Sequence, residues 1–249
     1  MDTFIEIPVK PGGFMESQSG IQRRNPKIFC RLVAPDAGAD TVFVLVHPTS
    51  NFHSHYLTRP LVERGAAVFL VNTRYVANDT MLLMERAIQD LGAGIRWLRG
   101  RRYRRIVLIG NSGGGSLASF YQQQAERLTI SDTPDGLPID LQADDLPPAD
   151  AIALTCAHPG RAEQLLTKID PSLLDERNAD LRDPTLDMYE ASNPPPYSPD
   201  WVARYRDAQH ARLARITAWV LARLRQLEAG LPIEVADEPF LIHRTQADP

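Results

Sequence analysis

The sequence has very little cysteine and no long apolar run. Only two cysteines, Cys30 and Cys156, occur among 249 residues. That is too few for a disulfide framework, and both lie in apolar, strand-like runs where a thiol reads as a small buried hydrophobe. No apolar stretch approaches the roughly 20 residues that span a bilayer, so no membrane partner is expected. Neither sign of charge dominates: 27 basic residues are mixed with 31 acidic ones, for a formal net charge of -4. That balance excludes the electrostatic footprint of a nucleic-acid binder, and the RGRRYRR run at 99–105 reads as a solvated loop feeding a strand. No His/Cys/Asp cluster has ligand spacing, so no metal is expected. The N-terminus starts directly with strand-like alternation and lacks the charged start, apolar core and cleavage site of a signal peptide, from which a cytoplasmic protein is expected.

What is present is apolar content of 43%, enough to bury a sizeable core in one α/β domain with an insertion. The organising stretch is residues 104–124, RRIVLIGNSGGGSLASFYQQQ. Ile106, Val107, Leu108 and Ile109 form an apolar, β-branched run of the kind buried on both faces of a parallel sheet. Leu117, Phe120, Tyr121 and Leu128 recur at helical spacing. Between them Gly110-Asn111-Ser112-Gly113-Gly114 fits a strand-to-helix turn so tight that positions two before and two after the serine tolerate little beyond hydrogen. This is the spacing of a nucleophile elbow, which lifts a serine oxygen above the carboxyl end of the sheet, near a helix N-terminus. The overlapping GxGxxA pattern at 113–118 also fits a dinucleotide-binding turn. However, about a hundred residues precede it and no acidic residue closes a following strand about 20 residues on. A phosphate-cradling loop would need a Walker lysine, which is missing, so no cofactor is expected.

Along the chain, residues 3–9 and 27–33 read as antiparallel strands around a surface loop at 11–26. Residues 41–46 read as a central strand ending in the polar turn 47–51, and 55–63 as a helix that stops at Gly65. Residues 66–71 are a buried strand, 81–99 a helix with Gly92 and Gly94 marking close packing on the sheet, and 151–156 another strand. The loop at 129–149 is rich in Asp and Pro. Strands alternating with helices specify a mostly parallel sheet with helices on both faces, whose ligands gather outside the carboxyl ends of the strands. That rim collects Ser112, Ser50, Asn111, His47, His158 and the nearby His53 as pocket candidates. Residues 160–234 read as a helical cap insertion, with Ser198 as N-cap and Pro199 at the first turn of a long helix that Gly230 and Pro232 end. Residues 239–243 read as one more strand, so the core comprises 1–159 and 235–249.

Four pieces make the chain resemble the α/β-hydrolase superfamily: VLVHPTS, LVERGAAVFLVNTRY, the elbow GNSGG, and the terminal FLIHRTQADP. The resemblance implies an α/β-hydrolase fold and makes Ser112 the nucleophile. It implies oxyanion-hole amides at Gly113 and Thr49 and makes Asp248 the acid that orients a histidine. Pro48 stands where the family usually has glycine, and Asn72 and Tyr75 replace the usual Asp and Gly of the fourth strand's loop. The function implied is a serine hydrolase of esterase type that cleaves a small to medium carboxylic ester.

In that family the base histidine follows the acid, after an eighth strand, and no residue stands beyond Pro249. A serine hydroxyl is a weak nucleophile without a base. His47 reads as a hydrogen-bonding member of the oxyanion loop, His158 as a pocket residue or in-chain base, and His243 and His210 as packing or surface residues. Because a bare seventh strand would be an open edge, a complementary C-terminal segment, of the same protein or another chain, is expected to complete the sheet and bring the histidine. The alternative is a non-catalytic binding or assembly protein.

Overall fold

The computed structural model describes the chain except residues 13, 18–19, 24–26, 102, 135 and 231–239. It divides into two units, Met1–Gly160 and Arg161–Pro249. In chain order the first holds β1 (Asp2–Pro8), β2 (Phe14–Ser17), β3 (Gly20–Arg23), β4 (Lys27–Val33), β5 (Thr41–His47), α1 (Thr58–Glu63), β6 (Ala67–Asn72), α2 (Met84–Arg99), β7 (Arg105–Asn111), α3 (Gly114–Glu126) and β8 (Ala151–Thr155).

The fold class read from the sequence is the one observed. A six-stranded sheet runs in the order β1-β4-β6-β5-β7-β8. Strands β6, β5, β7 and β8 are mutually parallel, while β4 runs antiparallel to both β1 and β6. The continuous apolar runs occupy the middle: every residue of β6 is buried, as expected of a strand covered on both faces. α2 and α3 cover one face, where Leu91, Ile95, Leu117 and Tyr121 pack against Val44, Phe69 and Leu108. Leu57, Leu61 and Val62, in and just before α1, cover Leu45, Val68, Leu70 and Ile109 on the other. Each fully buried side chain of this size contributes about 1.5–3 kcal/mol.

Three details of this unit differ from the sequence reading. The connection at 11–26 contains the β2–β3 hairpin. Cys156 is exposed, just past the end of β8, and only Cys30 is buried; there burial pushes the thiol pKa up. His53, read as lying near the rim, sets its ring against β1 and β4: its Nε2 lies 3.2 Å from the Phe29 carbonyl of β4 and its ring meets Phe4 edge-on.

The second unit holds α4 (Arg161–Lys168), the antiparallel pair β9 (Leu173–Asp175) and β10 (Asn178–Arg182), and α5 (Pro199–Glu228). α5 begins as expected, with the Ser198 hydroxyl accepting from Trp201 N–H and Pro199 in the first turn. The helical reading of this region omitted the β9–β10 pair. Its expected end at 234, Pro232 and Pro239 lie outside the described residues.

The terminal stretch also departs from expectation. Residues 240–249 are irregular and belong to the second unit, not to the sheet. Phe240 stacks on Trp219 of α5 at 4.8 Å, Ala247 N–H donates to the Lys168 carbonyl, and the His243 carbonyl accepts from Arg212. α4 and α5 thus take up part of what a sheet would have covered, while Leu241 stays exposed. Among the described residues no helix is long and apolar enough to cross a membrane, and no group of three or more His, Cys, Asp and Glu could hold a metal.

Candidate active site

β7 ends at Asn111 and α3 begins at Gly114, so Ser112 and Gly113 must reverse the chain unaided. Ser112 does so at φ +54°, a left-handed conformation that costs a non-glycine residue about 1–2 kcal/mol. The crowding that demanded glycine is real: a Cβ at Gly110 would lie 2.6 Å from Gly115 Cα and 2.8 Å from the Gly114 carbonyl oxygen. The strained turn is held by neighbours. Ser112 N–H donates to the Thr155 carbonyl at 3.2 Å, and its carbonyl accepts from Gly115 N–H at 3.0 Å and His158 N–H at 3.4 Å. Asn111 Nδ2 donates to the Thr155 carbonyl and hydroxyl, both at 3.1 Å, and to Tyr56 Oη at 3.3 Å.

Two imidazoles converge on the same turn. A Cβ placed on Gly113 would meet His47 Nε2 at 2.8 Å and His158 Nε2 at 3.3 Å, so only glycine leaves both rings room. His47 Nδ1 accepts from Thr49 N–H at 3.1 Å and from Ser50 N–H at 2.8 Å. His158 Nδ1 accepts from Gly160 N–H at 3.3 Å. A ring whose Nδ1 accepts carries its proton on Nε2 when neutral, and in both rings that is the atom lying nearest Gly113. His55 repeats the device, its Nδ1 accepting from Leu57 N–H at 3.2 Å. Its Nε2 is buried without a hydrogen-bond partner; burial lowers its pKa, and a contact with Asn111 opposes the shift.

Each expected site residue can now be placed. Ser112, Gly113, Asn111, His47 and His158 gather at the elbow, and among the described residues no acceptor is paired with Gly113 N–H. Thr49 differs from the expectation: its N–H is engaged by His47 Nδ1 within its own turn, as is that of Ser50. Asp248 also differs. Its carboxylate accepts from Arg206 at 2.7 Å and Lys168 at 3.3 Å, and Arg206 foremost holds its pKa below the ordinary value. Both oxygens are thus occupied by cations of the second unit. Among the described residues no hydrogen bond joins the Ser112 hydroxyl to a base.

The loop behind the elbow rests on contacts the sequence reading missed. Asn72 accepts from Phe52 N–H and donates to Asn51 at 2.9 Å, Thr73 Oγ donates to the Pro48 carbonyl at 2.6 Å, and Ala77 N–H donates to the Thr49 carbonyl at 2.9 Å. Arg74 anchors that frame through a fully buried ion pair with Asp90 at 2.6 Å, to which Arg74 N–H adds a bond at 2.8 Å. The signal was visible in retrospect: Asp90 is a charge set in the apolar stripe of α2.

Fold and site together define an α/β protein whose central parallel strand ends in a strained serine turn surrounded by N–H donors. No family model matches the chain, and no curated protein matches it. Among solved structures it is similar to an inhibited esterase B from Lactobacillus rhamnosis (19% identity, 62% of this chain and 49% of that one, TM-score 0.36). It is also similar to a dienelactone hydrolase from Anabaena variabilis (18%, 61% and 65%, TM-score 0.37) and a bifunctional GH43-CE protein from Bacteroides eggerthii (23%, 50% and 20%, TM-score 0.39). The chain thus spans between 20% and 65% of the length of these chains. Similarity at this level carries no argument about chemistry, which rests on the site itself.

Proposed function

We propose that the protein is a serine hydrolase of esterase type, cleaving a small to medium carboxylic ester through an acyl-enzyme on Ser112. The observation that carries this reading is the backbone of Ser112, held at φ +54° where β7 meets α3. Strain at a polar residue on a strand-to-helix turn is a recurrent mark of a functional site. Ser112 Oγ attacks the ester carbonyl as its proton departs, and the carbonyl oxygen becomes an oxyanion. Gly113 N–H, the α3 N-terminus and the Nε2–H groups of His47 and His158 are the donors that would hold it. Collapse breaks the carbon–oxygen bond to the alcohol, which leaves with a proton. Water then repeats the sequence and releases the acid.

The proton acceptor is the part that the three imidazoles do not supply as they are held. In this reading a histidine comes from a further segment, of this protein or another chain. The outer edge of β8, the last strand of the described sheet, with Leu154 exposed, is where such a segment would pair. The same observation favours a second reading, a non-catalytic protein that binds an acyl or anionic group at the donor cluster.

A fluorophosphonate probe followed by peptide mapping separates the two. Labelling at Ser112 that disappears in Ser112→Ala is the expected result. An inert Ser112, with no turnover of short p-nitrophenyl esters, would overturn the hydrolase reading in favour of binding.

A further inference from the structure

Beside the elbow, between the N-terminal ends of α2 and α3 and the end of β8, lies a cleft of about 720 Å³. Its walls are mainly apolar, with Met84, Phe120, Leu154, Ala157 and Pro159 among them. His158 belongs both to this lining and to the pair of rings at Gly113, so the cleft opens beside the serine turn. One lining residue does not fit an apolar wall. Glu85 is the only carboxylate in the lining, no lysine or arginine accompanies it, and its Oε2 is shielded from solvent without a hydrogen-bond partner. A carboxylate set in an apolar wall, with no cation in the lining, favours a cationic ligand over a neutral one. Glu85 belongs to the first turn of α2, yet no backbone N–H group and no side chain is bonded to Oε2.

We propose that this cleft is the substrate's side-chain subsite and that Glu85 selects a chain ending in an ammonium group. An aliphatic stem would lie against Met84, Phe120 and Leu154, while the terminal cation pairs with the Glu85 carboxylate. A neutral alkyl chain would fill the same walls but leave the carboxylate unpaired, which is the origin of the selectivity. The proposal rests on the reading of Ser112 as the nucleophile only for the meaning of the cleft as a substrate site; binding itself does not require Ser112.

The test is calorimetric titration of the intact protein with n-hexylamine and with n-hexanol. Hexylammonium is expected to bind at least tenfold more tightly than hexanol, and Glu85→Gln, which keeps shape and removes charge, to weaken hexylammonium roughly tenfold. Ser112→Ala is expected to leave both affinities unchanged, so failure here is distinct from failure of fluorophosphonate labelling. Should Glu85→Gln fold poorly, Phe120→Trp, which fills the cleft, is expected to abolish binding of both ligands. Equal affinity for amine and alcohol, undiminished binding by Glu85→Gln, or no amine binding at millimolar concentration would each overturn the proposal.

Discussion

The two units of this chain are held together by different physics. In Met1–Gly160 two hydrophobic clusters line the two faces of the sheet, and the buried Arg74–Asp90 pair stands beside an otherwise mainly apolar core. The interior of Arg161–Pro249 is instead organised around arginines. Arg212, fully buried, is bidentate to Glu176 at 2.7 and 2.6 Å and donates to the carbonyls of Asp170 and His243. Arg244 pairs with Asp170 and Asp187, and Arg182 reaches Asp187 as well. Gln209 and Tyr205 satisfy the carbonyls of Ile169 and Ala247. An apolar core stabilises in proportion to the area removed from water, whichever residues supply it. A buried ionic network stabilises only when every member is present, because a lone remaining charge is worse than no charge at all.

The sharpest way to break that contrast is Arg212→Ala. It strands Glu176 and two carbonyls, and should destabilise the second unit by about 3–5 kcal/mol. Replacing the pair together, with Arg212→Met and Glu176→Leu, should recover most of the loss. Hydrogen exchange read by mass spectrometry, peptide by peptide, measures both. If the double variant is no better than the single one, the network is not what holds the unit. Leu91→Ala is the counterpart in the first unit and should cost about 3 kcal/mol, with protection lost in peptides of β5, β6 and β7 while the second unit is spared.

A smaller effect is read by pH. Asp248, paired with Arg206 and Lys168, has its folded pKa below the ordinary 3.8. Its contribution is therefore complete above the unfolded value and disappears as pH falls through the lower folded value. Acid denaturation should show a loss of second-unit stability beginning near pH 4, as expected for a depressed carboxylate, and Asp248→Asn should flatten that slope. An unchanged slope would place the acid sensitivity elsewhere.

The same contrast explains which features could be read in the sequence. The parallel sheet, α2, the serine turn and the start of α5 all announce themselves within a few residues, through apolar runs, helical spacing, glycines and the Ser-Pro cap. Interactions across long stretches of chain leave no such mark. Phe240, Leu241 and Ile242 have the pattern of a strand, but the partners that decide their fate, Trp219 and Arg212, lie more than twenty residues away on a helix. The resemblance makes Thr49 a free backbone donor, but the folded loop brings His47 of the same turn to take that hydrogen. Asp248 had the right order relative to Ser112, but order says nothing of Arg206 and Lys168.

Arg74 does more than neutralise Asp90. Its Nη1 donates to the Gly12 carbonyl at 2.6 Å, so the same guanidinium that steadies the segment after β6 also clasps the chain just before the β2–β3 hairpin. Since that segment in turn grips Pro48 and Thr49, the amino-terminal dozen residues act as a buttress for the turn that carries His47. Trimming them to tidy an expression vector would take away one end of a tie rod whose other end is beside the serine.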